Sequence, residues 1–320
     1  MIKVHDVSKS FGNLKALDHI SFEVKEAETL ILLGTSGCGK TTTLKMINRL
    51  IRPTSGNILI NDQHIEDQPT TVLRRNIGYV LQSNGLFPHY TVAQNIAIVP
   101  HLLKWDKKRI EIRTGELLEK LHLSKNHLPM YPHELSGGQQ QRVGLARALA
   151  ANPPILLMDE PFGALDNVTR SKIHTEFKAL DELKRKTIIM VTHDVQEAFT
   201  LGNRICLMDK GRIIQDGTPR ELLFKPANAF VENFLKEQRL QLAFKTASLA
   251  DLWNWLPTGT EHNDTRALGA DTDVWTGLES FQFSDSKTLT ILHHQKDEVK
   301  RVGFEQLIAA FYQYQKILAT

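Results

Sequence analysis

The sequence contains little cysteine and no long apolar run. Its two cysteines, Cys38 and Cys206, provide neither a disulfide framework nor metal-ligand spacing, which suits a reducing compartment. No apolar stretch approaches the roughly 20 residues that a membrane helix needs, and an alternating strand pattern begins at Ile2. We therefore expect a cytosolic protein in which any membrane role depends on a partner.

The chain also lacks a strong excess of charge of one sign. Its formal net charge is +3 over 320 residues, and 41% of the residues are hydrophobic, which allows a sizeable core and two domains. Residues 1–240 hold 32 lysines and arginines against 26 acids, whereas residues 241–320 hold 7 against 10, and we expect the domain boundary near residue 235. The basic clusters at residues 107–109 and 184–186 lie in polar helical stretches typical of solvated faces, so no nucleic acid partner is expected.

A glycine loop follows a buried strand pattern. The loop Gly34-Thr35-Ser36-Gly37-Cys38-Gly39-Lys40-Thr41 fits the pattern GxxxxGK(S/T), between apolar residues 30–33 and a helix-like stretch at 42–47. In such a loop, backbone N–H groups and a helix N-terminus surround a phosphate, Lys40 reaches the β- and γ-phosphates, and the Thr41 hydroxyl can bind Mg²⁺. The loop predicts a polyphosphate ligand but does not separate a kinase from a GTPase or a motor.

Two carboxylates end a later buried strand. The apolar residues 155–158 are followed directly by Asp159 and Glu160. Acids at the end of an apolar strand are costly to bury, and the upstream loop supplies a reason for them. Asp159 can hold Mg²⁺ and Glu160 can polarise an attacking water. The alternative interpretation is a strand that runs out into solvent.

Three further side chains near strand ends allow two interpretations each. Phe11 could stack on an adenine face or belong to the core. Gln82 could hold Mg²⁺ or orient water, or it could be a surface loop residue. His193 could donate to the γ-phosphate, or it could be an ordinary residue at a strand edge.

The remaining pattern predicts an α/β protein with a helical insertion and a small α+β appendage. We predict strands at residues 2–7, 20–24, 30–33, 58–60, 77–82, 155–160 and 187–191. Helices are predicted at 92–99, at 107–121 and after Ser136-Gly137-Gly138. In the tail we predict a short helix at 247–256, a strand at 288–292 and an amphipathic helix at 304–318.

Over about residues 1–235 these motifs occur in the order typical of the nucleotide-binding subunits of ATP-binding cassette (ABC) transporters, which the chain resembles. The resemblance rests on Phe11 (A-loop), residues 34–41 (Walker A), Gln82 (Q-loop), Leu135-Ser136-Gly137-Gly138-Gln139, Asp159-Glu160 (Walker B), Ala164-Leu165-Asp166 and His193. The Leu-Ser-Gly-Gly-Gln pentapeptide is the most specific of these motifs.

The resemblance implies a P-loop NTPase cassette with a RecA-like core, an antiparallel β subdomain and a helical subdomain at about 86–151, followed by the appendage at 236–320. It implies ATP and Mg²⁺ as ligands. Two cassettes close head to tail in this family, so that Ser136, Gly137 and Gly138 of one chain complete the site over the P-loop of the other.

The resemblance also assigns roles to single residues. The implied nucleotide contacts are Phe11, Gly34, Thr35, Ser36, Gly37, Cys38, Gly39, Lys40, Thr41, Thr42, Ser136, Gly137, Gly138 and Gln139. The implied Mg²⁺ ligands are Thr41, Gln82 and Asp159. Glu160 is expected to be the general base, Lys40 and His193 to stabilise phosphate charge, Gln82 to assist catalysis, and Asp166 to communicate across the dimer.

The expected function is that of a transporter motor, with a second cassette, a transmembrane permease and, indirectly, a substrate-binding protein as partners. DNA-repair members of the family carry a coiled-coil insertion and translation-factor members carry two cassettes, and this sequence shows neither. Residues 73–82, 85–89, 96–100 and 103–105 are similar to importers of glycine betaine, carnitine and choline. The alternative cargoes are polar amino acids, methionine and oxyanions. The tail resembles part of one regulatory CBS module.

Overall fold

The computed structural model describes residues 1–82, 85–163, 167–257, 267–282, 287–293 and 295–318, with the backbone alone at 167–172. Two compact units follow one another along the chain, Met1–Asp216 and Gly217–Thr320. This division falls earlier in the chain than the predicted cassette boundary near residue 235, which stays a prediction about the functional unit.

The first unit mixes strands and helices. Its strands are β1 (Ile2–Phe11), β2 (Leu14–Val24), β3 (Thr29–Gly34), β4 (Ser55–Ile60), β5 (Gln63–His64), β6 (Ile77–Val80), β7 (Ile155–Asp159), β8 (Thr187–Thr192), β9 (Arg204–Asp209) and β10 (Arg212–Gly217). Its helices are α1 (Lys40–Ile47), α2 (Thr70–Arg75), α3 (Val92–Leu102), α4 (Lys107–Lys120), α5 (Gly137–Leu149), α6 (Asn167–Ala179) and α7 (Val195–Leu201).

Two sheets share the core of this unit. The first has the order β2-β1-β4-β5 and is antiparallel throughout. The second has the order β10-β9-β3-β8-β7-β6, and its strands from β9 to β6 are parallel. Strands β3, β7 and β8 are almost entirely buried because a parallel sheet is covered on both faces. Their carboxyl ends therefore meet at one edge, where ligands of open α/β sheets bind.

The second unit has a small sheet and its own core. Its helices are α8 (Pro219–Phe224), α9 (Ala229–Leu235), α10 (Arg239–Thr246), α11 (Val274–Ser280) and α12 (Phe304–Leu318). Its strands are β11 (Ala267–Gly269), β12 (Thr288–His293) and β13 (Glu298–Gly303), in the order β11-β12-β13. Helix α12 buries Leu307, Ala310, Phe311 and Tyr314, the spacing of one helical face, and the Phe311 ring lies 4.3 Å from that of Phe244.

The predicted elements of the first unit are present, and β1 to β4 are longer than predicted. The strand predicted at 77–82 is shorter, since β6 ends at Val80 and Gln82 lies in the turn after it. In the tail, the strand at 288–292 and the helix at 304–318 are confirmed by β12 and α12. The helix predicted at 247–256 is wrong, since only a 3₁₀ turn at Trp253–Trp255 forms there. Ser248 and Asp251 accept from each other's backbone N–H groups, as in a capping box, but the segment ends after one short turn, because Leu256 precedes Pro257 and is extended.

Candidate functional site

The glycine loop connects β3 to α1 at the carboxyl edge of the parallel sheet. Gly39 has φ 104°, and a Cβ atom there would lie 2.4 Å from Leu17 Cδ2, so only glycine fits the position. No side chain among the described residues caps α1. Its first-turn N–H groups therefore lack a side-chain acceptor, which is the arrangement that binds a phosphate.

Lys40 lies within this loop and is buried. Its Nζ donates to the carbonyl oxygens of Gly34 and Thr35, each at 2.8 Å. The Cys38 sulfur lies 3.7 Å from the same Nζ, and burial raises the pKa of that thiol. Cys38 and Cys206 are both free and buried, as expected of packing residues. The lysine charge is thus held at the loop that the sequence predicts to bind phosphate.

Thr41 and Asp159 are brought together from α1 and the end of β7. The Thr41 hydroxyl donates to Asp159 Oδ1 at 2.8 Å. Burial raises the pKa of Asp159, while the hydrogen bond from Thr41 opposes that shift. A hydroxyl and one carboxylate are oxygen ligands that Mg²⁺ uses together with substrate phosphates. Within the described ranges, no group of three or more His, Cys, Asp or Glu side chains could hold a metal ion.

Glu160 is held by two side chains from neighbouring strand ends. Gln82 Nε2 donates to Glu160 Oε2 at 2.9 Å, and His193 Nδ1 lies 3.2 Å from Glu160 Oε1. The backbone N–H of Glu160 donates to Val191 O at 2.9 Å. Glu160 has φ 45°, a left-handed conformation that costs a non-glycine residue on the order of 1 kcal/mol. Three residues singled out from the sequence therefore meet, and Gln82 contacts the carboxylate; its predicted Mg²⁺ contact stays a prediction.

The turn that carries His193 is braced by residues that the sequence analysis missed. The Thr192 hydroxyl donates to Glu197 Oε2 and accepts from the N–H of Asp194 at 3.0 Å. Asp194 caps α7 by accepting from the N–H groups of Gln196 and Glu197 at 2.8 and 3.1 Å. A Thr-His-Asp sequence before a helix contains the signal for such a cap, whereas the part played by Glu197 depends on the fold.

The Ser-Gly-Gly motif starts α5. Ser136 accepts from the N–H of Gln139 at 3.3 Å, and Gln139 Oε1 accepts from the N–H of Ser136 at 2.8 Å, a reciprocal capping box. A Cβ atom at Gly137 would meet nothing within 4 Å, so this helix start is open. Gln141, also missed from the sequence, donates to Pro161 O at 2.6 Å and joins α5 to the Glu160 loop. The predicted contact of this motif with a second chain stays a prediction.

Two further sequence-predicted residues lie apart from this cluster. Phe11 ends β1 and is 48% exposed, with Lys9 Nζ 5.0 Å from its ring centroid. The core interpretation of Phe11 is therefore wrong, and stacking on adenine stays a prediction. Asp166, with Ala164 and Leu165, lies outside the described residues.

Known proteins share this arrangement of motifs. The ABC transporter family model matches residues 17–163. The glycine betaine/carnitine/choline transport ATP-binding protein OpuCA of Bacillus subtilis (strain 168) is 52% identical over 241 residues, 75% of this chain and 63% of that protein. The glycine betaine uptake system ATP-binding protein YehX of Escherichia coli (strain K12) is 44% identical over 308 residues, 96% of this chain and 99% of that protein. This chain belongs to the ABC transporter family.

The family assignment extends to the fold. A bacterial ABC transporter cassette solved as a dimer, MJ0796, superposes with a TM-score of 0.62 at 36% identity, covering 68% of this chain and 98% of that one. The predicted cassette fold is thereby confirmed. This ABC family chain spans less than two thirds of OpuCA but nearly all of YehX, so its C-terminal unit also has a counterpart in a relative. In the described part of the chain, no helix is long and apolar enough to cross a membrane.

Proposed function

We propose that this chain is the ATP-hydrolysing subunit of an ABC importer for quaternary amine osmoprotectants such as glycine betaine. It acts as a pair of cassettes on the cytoplasmic face of the membrane, attached through a permease that receives cargo from a substrate-binding protein. The observation that carries the proposal is the position of Glu160 between Gln82 and His193, beside the Thr41–Asp159 pair. The similarity to OpuCA and YehX supports the choice of cargo.

The glycine loop and its neighbours bind the nucleotide. The first-turn N–H groups of α1 and the Lys40 ammonium provide positive charge for the phosphates, and Phe11 provides an exposed ring for adenine. Mg²⁺, held by Thr41 and Asp159 together with phosphate oxygens, would neutralise charge on the phosphates. A second chain adds Ser136, Gly137 and Gly138 at the start of its α5.

Glu160 is the general base in hydrolysis. Its carboxylate removes a proton from water as the oxygen attacks the γ-phosphorus and the bond to the bridging oxygen breaks, giving ADP, phosphate and the proton taken up by Glu160. Gln82 and His193 fix the orientation of this carboxylate before the reaction, which avoids reorganisation during it. The left-handed backbone at Glu160 fits a residue held in place by its surroundings.

The loop after Gln82 is the proposed permease contact. Asn95 is completely buried and holds this loop by accepting from the Phe87 N–H at 2.8 Å and donating to the Phe87 and Tyr90 carbonyls. Phe87 and Tyr90 nevertheless stay 47% and 44% exposed, with ring centroids 5.5 Å apart. An exposed aromatic pair on a fixed loop is typical of a protein contact site.

Transport in cells tests the cargo and the partner surface together. A strain that lacks this chain but keeps its permease is complemented with wild type, Phe87→Asp or Leu102→Asp, the last a control at a more exposed apolar position. We expect wild type to restore uptake of labelled glycine betaine, competed by carnitine and choline. Phe87→Asp should lose uptake and membrane association while the purified chain keeps its ATPase activity. Uptake competed by methionine or an oxyanion instead would overturn the cargo assignment.

We also propose that residues 241–320 serve dimer contact or regulation. Along helix α12, Phe304, Tyr312 and Ile317 stay 51–58% exposed, whereas Leu307, Ala310, Phe311 and Tyr314 fill the core of the unit. Tyr312→Asp should weaken self-association or change the response of transport to ionic strength, with basal ATPase activity intact. If sedimentation and transport both match wild type, the exposed Tyr312 side chain has neither role.

A further inference from the structure

A buried carboxylate and a buried imidazole face each other behind the turn that carries His193. Glu197 on α7 is 3% exposed and His174 on α6 is 8% exposed. His174 Nε2 lies 3.6 Å from Glu197 Oε1, and neither atom has a hydrogen-bond partner among the described residues. Burying two such polar atoms costs free energy that an apolar pair of similar volume would not cost. The pair therefore calls for an explanation other than stability.

Glu197 connects this pair to His193. Its second oxygen accepts from the Thr192 hydroxyl, which in turn accepts from the Asp194 N–H at 3.0 Å. Thr192 and Asp194 are the residues on either side of His193, so one carboxylate braces both sides of the turn. The braced imidazole lies 3.2 Å from Glu160.

His174 connects the same pair to the loop after Glu160. Its ring packs edge-on against Phe162, with centroids 5.0 Å apart and an interplanar angle of 68°. Phe162 is buried and is two residues beyond Glu160, next to the Pro161 carbonyl that accepts from Gln141. His174 therefore contacts the loop after Glu160 and faces the carboxylate that braces the His193 turn.

We propose that Glu197 and His174 are positioning residues for hydrolysis. Glu197 holds the His193 turn through Thr192, and His174 fixes the position of Glu197 relative to the Glu160 loop. The proposal rests on the ATPase function proposed above. A displacement of about 1 Å in a reacting constellation can lower turnover by about a hundredfold. Nucleotide binding depends on the glycine loop and should not change.

The test compares kcat and KM for ATP, with Mg²⁺, across purified full-length variants. Glu197→Ala and Thr192→Val remove the brace, and we expect kcat to fall by about ten- to a hundredfold with KM within about twofold. Glu197→Gln and Thr192→Ser keep an acceptor and a hydroxyl and should restore most of kcat. His174→Phe keeps the ring beside Phe162 but not Nε2, and should lower kcat by a smaller factor of about three to ten.

Glu182→Ala is the matched control for lost stability. Glu182 is also a nearly buried carboxylate, paired with Arg113 at 2.6 Å and Lys120 at 2.7 Å, but it has no contact with His193 or Glu160 in the described structure. If Glu182→Ala lowers kcat as much as Glu197→Ala at matched melting temperature, the effect is general and the proposal fails. The proposal also fails if Glu197→Gln is no better than Glu197→Ala while both are folded. A wild type without ATPase activity would instead contradict the function proposed above.

Discussion

Each unit of this protein contains a buried lysine that donates to two backbone carbonyls, and these two lysines have different surroundings. Lys40 is 6% exposed and donates to Gly34 and Thr35 at the open start of a helix. Lys300 is 8% exposed and donates to the Trp253 and Leu256 carbonyls at 2.5 and 2.8 Å. The Trp253 ring covers the Lys300 ammonium at 4.9 Å from its centroid.

The comparison shows that a buried charge does not mark a site by itself. Lys40 lies next to uncapped N–H groups and to a strand edge that carries Asp159 and Glu160. Lys300 is buried beside Trp253 and Leu256, two residues of the C-terminal core. Its ammonium donates to the Leu256 carbonyl and is a second donor to the Trp253 carbonyl, which also accepts from the Leu256 N–H at 3.3 Å. We therefore expect loss of Lys40 to affect chemistry and loss of Lys300 to affect stability, and the following predictions separate the two cases.

The largest effect on ATP turnover is expected from a change at Glu160, the carboxylate that most distinguishes the surroundings of Lys40 from those of Lys300. Glu160→Gln should lower ATP turnover by about 10²–10⁴-fold, because an amide cannot take the proton from water. ATP binding should persist, and the dimer should stay closed. Turnover assays and size measurement with and without ATP check this prediction. Near-normal turnover would remove Glu160 from the role of base.

Lys40→Met should have the next largest effect. It removes positive charge at the phosphates, and we expect turnover to fall by about 10²–10³-fold with weaker ATP binding, as for loss of a transition-state donor. Fluorescent nucleotide titration and ATPase assays provide the measurement. Lys107→Met, a change at an exposed lysine of α4, serves as the control. Equal ATP affinity in wild type and Lys40→Met would show that Lys40 resembles Lys300 and is structural.

The difference between the units also explains what sequence alone could predict. The Lys40 site was predictable because its chemistry lies in short contiguous motifs at the ends of buried strands. His174 and Gln141 were missed because their contacts join separate elements of the chain. Glu197 lies five residues after Thr192, but no pattern of residue types indicates that its buried carboxylate accepts from that hydroxyl. No spacing within a single sequence records such contacts.

In the C-terminal unit the sequence signal was weaker. Helix α12 was predicted because its apolar residues repeat with helical spacing over fifteen residues. Strand β13 was missed because Lys300 occupies a core-facing position and interrupts the alternation of apolar and polar residues. Lys300 is therefore the residue that prevented β13 from being recognised in the sequence.

Lys300→Met should destabilise the C-terminal unit without changing ATPase activity. The substitution removes the ammonium that donates to the Leu256 carbonyl and one of the two donors to the Trp253 carbonyl. We therefore expect a loss of about 1–2 kcal/mol in the free energy of unfolding. Urea unfolding followed by tryptophan fluorescence reports this unit, because three of the four tryptophans, Trp253, Trp255 and Trp275, belong to it. Unchanged unfolding together with lost ATPase activity would reverse the roles assigned to the two lysines.

The smallest expected effect is a change with pH in the stability that Lys300 contributes. Burial lowers the pKa of Lys300 below its ordinary value of 10.5, so near that pH the unfolded chain binds more protons at this group than the folded chain does. Stability contributed by this group therefore rises as pH increases toward 10.5. The advantage of wild type over Lys300→Met in free energy of unfolding should grow between about pH 8 and about pH 10. Lys316→Met, at an exposed lysine of α12, should show no such growth. A gap that shrinks with pH would mean that the folded state favours the charged form of Lys300, as expected of a lysine that gains an acidic partner.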